Sequence, residues 1–181
     1  MKSEINSKSS ITLSSRIDPL LYERLTEGAN SKGISVNSYV NSIFKKYLIR
    51  DRFYEDMGLV PLTKRTLKKI FRSMDDDTIK QIAKDVGGTV PQELIYLSYD
   101  RFDFQNLMKM IEISDSRFGT VKYIHNDSIY NINILHGACL NFSKFLAETH
   151  QSLAEHLSLK FSVEHLDNNM VCVEFEKPDL N

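Results

Sequence analysis

Apolar and polar residues alternate along Ile11, Thr12, Leu13 and Ser14, and the alternation resumes at Arg16 and Ile17. Successive side chains of a strand point to opposite faces. One face would carry Ile11, Leu13, Ser15 and Ile17, and the other Thr12, Ser14 and Arg16. The stretch runs straight into a helix start. Asp18 is placed to cap free N–H groups, and Pro19 suits the first helical position. Leu21, Leu25 and Ala29 follow at helical spacing, with Tyr22 beside them. Gly28 weakens that helix, and Gly33 is placed to end it in the left-handed conformation. Ser35 then caps a second helix whose inner stripe is Val36, Val40, Ile43 and Tyr47, flanked by Phe44 and Leu48.

A strand and two short helices cannot hide this much apolar surface. About 40 residues is below the size at which one core suffices. A lone strand also leaves its backbone groups unpaired. Two copies solve both problems if their strands pair antiparallel and their helices interlock. An obligate homodimer is therefore the expectation.

Residues 11–54 resemble a ribbon-helix-helix DNA-binding domain of the Arc/MetJ class. The resemblance rests on the alternating strand before Asp18-Pro19, the run Leu21-Tyr22-Glu23-Arg24-Leu25, and the turn Gly33-Ile34-Ser35-Val36-Asn37-Ser38. It implies a two-stranded ribbon in the major groove of double-stranded DNA. By position, Thr12, Ser14 and Arg16 would face the bases, and Ser35, Val36 and Asn37 would clamp a phosphate. Arginine can donate twice to guanine, and hydroxyls can donate or accept. Helix starts present free N–H groups that favour an anion. Ser15 departs from the pattern, since the family usually has an apolar residue there. A one-residue slip would repair that site but expose Ile11, Leu13 and Ile17, so the register is kept.

The 181 residues leave room for a second, larger domain. Formal net charge is −1, but residues 1–50 hold eight Lys/Arg against four Asp/Glu. The positive excess therefore sits on the DNA-facing module. No apolar run is long enough for a membrane span, and the polar start lacks a signal-peptide core. Cys139 and Cys172 do not form a secreted disulfide pattern. The expectation is a cytoplasmic protein with a loose arm at 1–10, the DNA-binding module at 11–57, a hinge at 58–62 and a C-terminal domain at 63–178. Lys2 and Lys8 of the arm are candidates for backbone contacts with DNA.

The expected fold class is α+β: the dimeric module, then a mostly helical segment, then a small antiparallel ββαββ domain. Leu62 to Val86 reads as two helices, the second starting at Asp75–Asp77 and ending at Gly87-Gly88. The first carries Lys64, Arg65, Lys68, Lys69 and Arg72 opposite Leu67, Ile70 and Phe71. Those cations read as a solvated face or as a second phosphate-binding patch. Leu94 to Leu97 reads as extended, and Asp103 to Ile113 as a helix. Strands follow at 121–124 and 129–135 around Asn126-Asp127. A long amphipathic helix spans Gly137 to Leu157, with Leu140, Phe142, Phe145, Leu146 and Leu153 inward. A final hairpin joins 159–166 to 170–175. Residues 63–178 carry no family signature.

No nucleophile motif, phosphate loop or dinucleotide fingerprint is present, so neither an enzyme nor a cofactor is expected. His125, His136 and Cys139 are the one group that suggests a transition metal. Nickel-responsive repressors join a ribbon-helix-helix domain to a metal-binding domain, but this chain lacks their closely alternating His pair. No metal site is assigned, and a metal-responsive repressor ranks low. His150 and His156 read as surface or rim residues, and Cys172 as a small core residue. The expected function is a homodimeric, sequence-specific transcription regulator. Its C-terminal domain would sense a ligand, bind a partner or bring dimers together on tandem sites. An antitoxin that binds DNA and a partner protein is the alternative.

Overall fold

A computed structural model describes residues 11–52, 60–99, 103–126 and 128–177. The N-terminal arm, residues 53–57 at the end of the expected DNA-binding module, Gly58 and Leu59 of the hinge, residues 100–102, Asp127 and residues 178–181 lie outside these residues. The chain divides into two compact units, Met1–Leu48 and Ile49–Asn181.

The first unit holds helices α1 (Pro19–Ser31) and α2 (Val36–Lys46), followed by a π-helical turn at Tyr47–Asp51. Both helices begin at the expected caps. Asp18 accepts from the N–H groups of Leu20 (2.8 Å) and Leu21 (3.4 Å). Ser35 Oγ accepts from Ser38 N–H at 3.2 Å. α1 ends in a Schellman turn, in which Ile34 N–H donates to Ala29 O and Gly33 N–H to Asn30 O, each at 3.1 Å. Gly33 adopts φ +65° there. Gly28 does more than weaken α1. A Cβ on it would lie 2.5 Å from the Tyr39 ring, so the missing side chain lets α2 pack close.

The second unit is an α+β fold built on a four-stranded antiparallel sheet. Its helices are α3 (Lys64–Arg72), α4 (Asp76–Tyr99), α5 (Phe104–Asp115) and α6 (Leu140–His156). Its strands are β1 (Thr120–Asn126), β2 (Ile129–Leu135), β3 (Lys160–Leu166) and β4 (Met170–Glu176), in the order β1-β2-β4-β3. The expected ββαββ order is present. Alternate residues of the central strands, Ile132 and Ile134 on β2 and Val171, Val173 and Phe175 on β4, are buried. α6 covers this face with Phe142, Leu146 and Leu153, all fully buried. α4 packs along the other side of α6. α6 is therefore a central element, and even its Ser143, His150 and Ser152 are buried.

Several expectations are corrected. α4 does not stop at Gly87-Gly88, and residues 94–97 are helical rather than extended. Glycines end helices when the chain needs a left-handed residue, but these two serve a helix crossing. A Cβ on Gly87 would lie 2.4 Å from Thr149 O of α6, and one on Gly88 would lie 3.2 Å from the His156 ring. Leu140 and Ile70 are exposed rather than inward. Cys172 is half-buried on the outer face of β4, opposite Asn133 and His165, and is not a core residue. The Asp75–Asp77 start does hold, since Asp75 Oδ1 accepts from Thr78 N–H at 2.7 Å.

Gly87→Ala should test the crossing. Alanine would favour the helix by roughly 0.5–1 kcal/mol, but overpacking against a backbone carbonyl costs about 1–3 kcal/mol. A net loss of stability in urea unfolding is expected.

Candidate nucleic-acid interface

Residues 11–18 form no secondary structure within the single chain, and every side chain among them is exposed. Thr12, Ser14 and Arg16 are accessible, as a base-reading face requires. The apolar members are accessible too: Ile11 is 94% exposed and Leu13 77%. A strand needs a ladder partner, and among the described residues no segment of the same chain pairs with this one. The helices behave alike. Leu20, Leu21 and Tyr22 of α1 and Ile43 and Phe44 of α2 are exposed. Among the described residues of this unit, Ala29 alone is buried.

The expected phosphate clamp has a defined local geometry. Ser35 Oγ takes the Ser38 N–H, and the first intrahelical bond runs from Tyr39 N–H to Ser35 O at 2.9 Å. Val36 and Asn37 occupy the first two helical positions, so their N–H groups have no intrahelical acceptor. Ser35 and Asn37 are exposed and Val36 is half-buried. This end of α2 can receive an oxyanion.

The second unit does not assemble the metal group. Among the described residues, no cluster of three His, Cys, Asp or Glu side chains could hold a metal ion. His136 is buried and fully engaged. Its Nδ1 accepts from Ala138 N–H at 2.9 Å, so Nε2 carries the proton and donates to Ser143 Oγ at 2.7 Å. Ser143 in turn donates to Asp167 O. His125 stacks on Tyr130, and Cys139 precedes α6 as a buried residue.

His150, expected at the rim, is instead buried against a buried carboxylate. Its Nε2 lies 3.0 Å from Asp115 Oδ2, and its Nδ1 lies 2.7 Å from Leu146 O. A carbonyl and a carboxylate both accept, so this geometry suits the doubly protonated imidazolium. No local pattern announces the pair, because 35 positions separate its members. Beside it lies a cavity of about 80 Å³, walled by Val86, Met110, Phe118, Phe145 and Leu146. One water needs roughly 10–15 Å³ of such volume, so there is room for several waters or a small molecule.

The two buried histidines titrate in opposite senses. Burial disfavours charge on His150, but the Asp115 carboxylate and the bond to Leu146 outweigh it and raise the pKa. Burial lowers that of His136, with Asp167 opposing and Lys64 assisting. The contribution of His150 to stability is complete below the ordinary value of about 6.5 and is lost as pH rises through the raised value. That of His136 is complete above about 6.5 and is lost as pH falls through the lowered value. Unfolding free energy followed against pH should therefore fall on both sides of about 6.5. His150→Gln should flatten the alkaline limb and leave the acid limb in place.

No family model matches the chain, and no curated protein matches it. Among solved structures, it is similar to the solution structure of the IWP-051-bound H-NOX from Shewanella woodyi in the Fe(II)CO ligation state. That similarity has 14% identity and a TM-score of 0.27, over 97% of this chain and 80% of the other.

Proposed function

We propose that the protein is a homodimeric, sequence-specific DNA-binding regulator whose first unit is a ribbon-helix-helix module. The carrying observation is the uncovered apolar surface of residues 11–48, attached to helices whose caps and turn are fully formed. A second copy is the occupant that fits. It supplies the missing strand for Ile11–Ile17 and the missing apolar face for α1 and α2 in one step. Antiparallel pairing would put Ile11, Leu13 and Ile17 beneath the ribbon and Thr12, Ser14 and Arg16 above it. The open amides of Val36 and Asn37 would then hold flanking phosphates.

The second unit is the effector half of this reading. Its extensive buried core favours a folded sensor over the short partner-binding tail of an antitoxin. The cavity beside His150 and Asp115 is where a small effector would lodge, because apolar walls with a few polar groups suit such ligands.

Selection from random DNA should yield a palindromic site with two half-sites, and light scattering should give a dimer at micromolar concentration. Arg16→Ala should weaken binding to that site by about 1–3 kcal/mol if the guanidinium reads a base. Unchanged affinity would remove Arg16 from the base-reading face. A monomeric protein that shows no sequence preference would contradict the whole reading.

A further inference from the structure

α3 carries five cations, Lys64, Arg65, Lys68, Lys69 and Arg72, in nine residues, with no acidic residue among them. At 3.6 residues per turn, all five fall within an arc of about 140°. Leu67 and Phe71 lie outside this arc, flanking it on the Lys64 side, and pack on the core. Lys64, Arg65, Lys69 and Arg72 are exposed, and among the described residues none of the five forms an ion pair. Nearby carboxylates are already committed. Asp75 caps α4, and Asp76 binds Lys144 at 2.6 Å.

This arrangement works against the helix that bears it. Lys64 and Lys68, Arg65 and Lys69, and Lys68 and Arg72 are like charges four apart, each pair destabilising. Lys64 and Arg65 also place positive charge in the first turn, where the helix dipole disfavours it, while Lys69 and Arg72 lie in the last turn, where it favours them. Tertiary packing holds α3 in place despite this. The Phe71 ring lies 4.9 Å from that of Phe142 and 5.0 Å from that of Phe145. Asn141 Nδ2 donates to Phe71 O at 2.9 Å and to Met74 O at 3.0 Å. The cations thus sit on an anchored scaffold, with mutual repulsion that a polyanion would relieve.

From this we infer that α3 is a second DNA-binding surface that grips the phosphate backbone without reading sequence. Its nine residues are about 14 Å long, an axial length over which one strand of duplex carries roughly four phosphates. The inference rests on the DNA-binding reading, yet it fails separately from it.

The test compares two charge-matched variants of the full chain. Arg65→Gln/Lys69→Gln removes two cations from α3. Lys80→Gln/Lys84→Gln removes two exposed lysines from α4, where Asp77 lies three residues before Lys80 and Asp85 next to Lys84. The α3 variant should bind both the selected site and a random-sequence duplex about tenfold more weakly, and its slope of log K against log salt should shrink by about 0.9 for each phosphate no longer neutralised. It should melt no lower than the parent, since like charges have been removed. The α4 variant should bind as the parent does. Equal weakening in both variants would mean that net charge alone matters, and would overturn the assignment. So would unchanged duplex binding, or an effect confined to single-stranded RNA or anionic phosphatidylserine vesicles. If Arg16→Ala is silent while the α3 variant weakens binding, Arg16 leaves the base-reading face and the α3 surface stands. The reverse result removes α3 alone.

Discussion

An apolar surface that no described residue covers is the constraint on which the proposed function turns. Residues 11–48 fold locally into two well-capped helices, yet among the described residues only Ala29 is buried. Burying apolar area stabilises by roughly 25 cal/mol per Å², and this unit gains little of that within one chain. Its local geometry is nevertheless well defined: the Asp18 cap, the Schellman turn at Gly33 and the Ser35 cap all have ordinary hydrogen-bond lengths. Good local order without a core is what a chain built for pairing would show. The second unit is the opposite case, with a continuous core around α6.

That core depends on small residues in unexpected places. α4 and α6 approach so closely at Gly87 that a methyl group would meet the Thr149 carbonyl. Ser152 Oγ, on the same face, donates to Lys84 O at 3.1 Å and so binds the two helices together. The β3–β4 turn ties the sheet to the start of α6. Asp167 Oδ1 accepts from Asn169 N–H at 2.7 Å and Met170 N–H at 2.9 Å. With His165 adding to these bonds, its carboxyl is pulled down to about 2. Asn169 O then accepts from the N–H groups of His136 and Gly137, both at 2.9 Å.

Much of this is legible from residue patterns, because caps, turns and period-2 alternation act locally. The starts of α1, α2 and α4 follow from Asp18, Ser35 and Asp75, and the four strands from their alternation. Three of the features that are not legible show why. Gly87 and Gly88 look like a stop signal until α6 is seen lying across them. His150 looks like a rim residue until Asp115 arrives from α5. Leu140 fits the helical apolar period but lies in the first turn of α6, where it is exposed. The glycines and the histidine depend on segments distant in the chain, and the leucine on where the core ends. The candidate DNA face follows from resemblance and strand parity. Both require a second chain, which a single chain cannot display.

Amide hydrogen exchange at Ile11 to Ile17, followed across protein concentration without DNA, addresses that missing chain most directly. Pairing between copies predicts slow exchange at concentrations where the dimer forms, in an alternating pattern set by the ladder, and fast exchange on dilution. Fast exchange along the whole stretch at every concentration would mean that no ribbon forms, and would contradict the account.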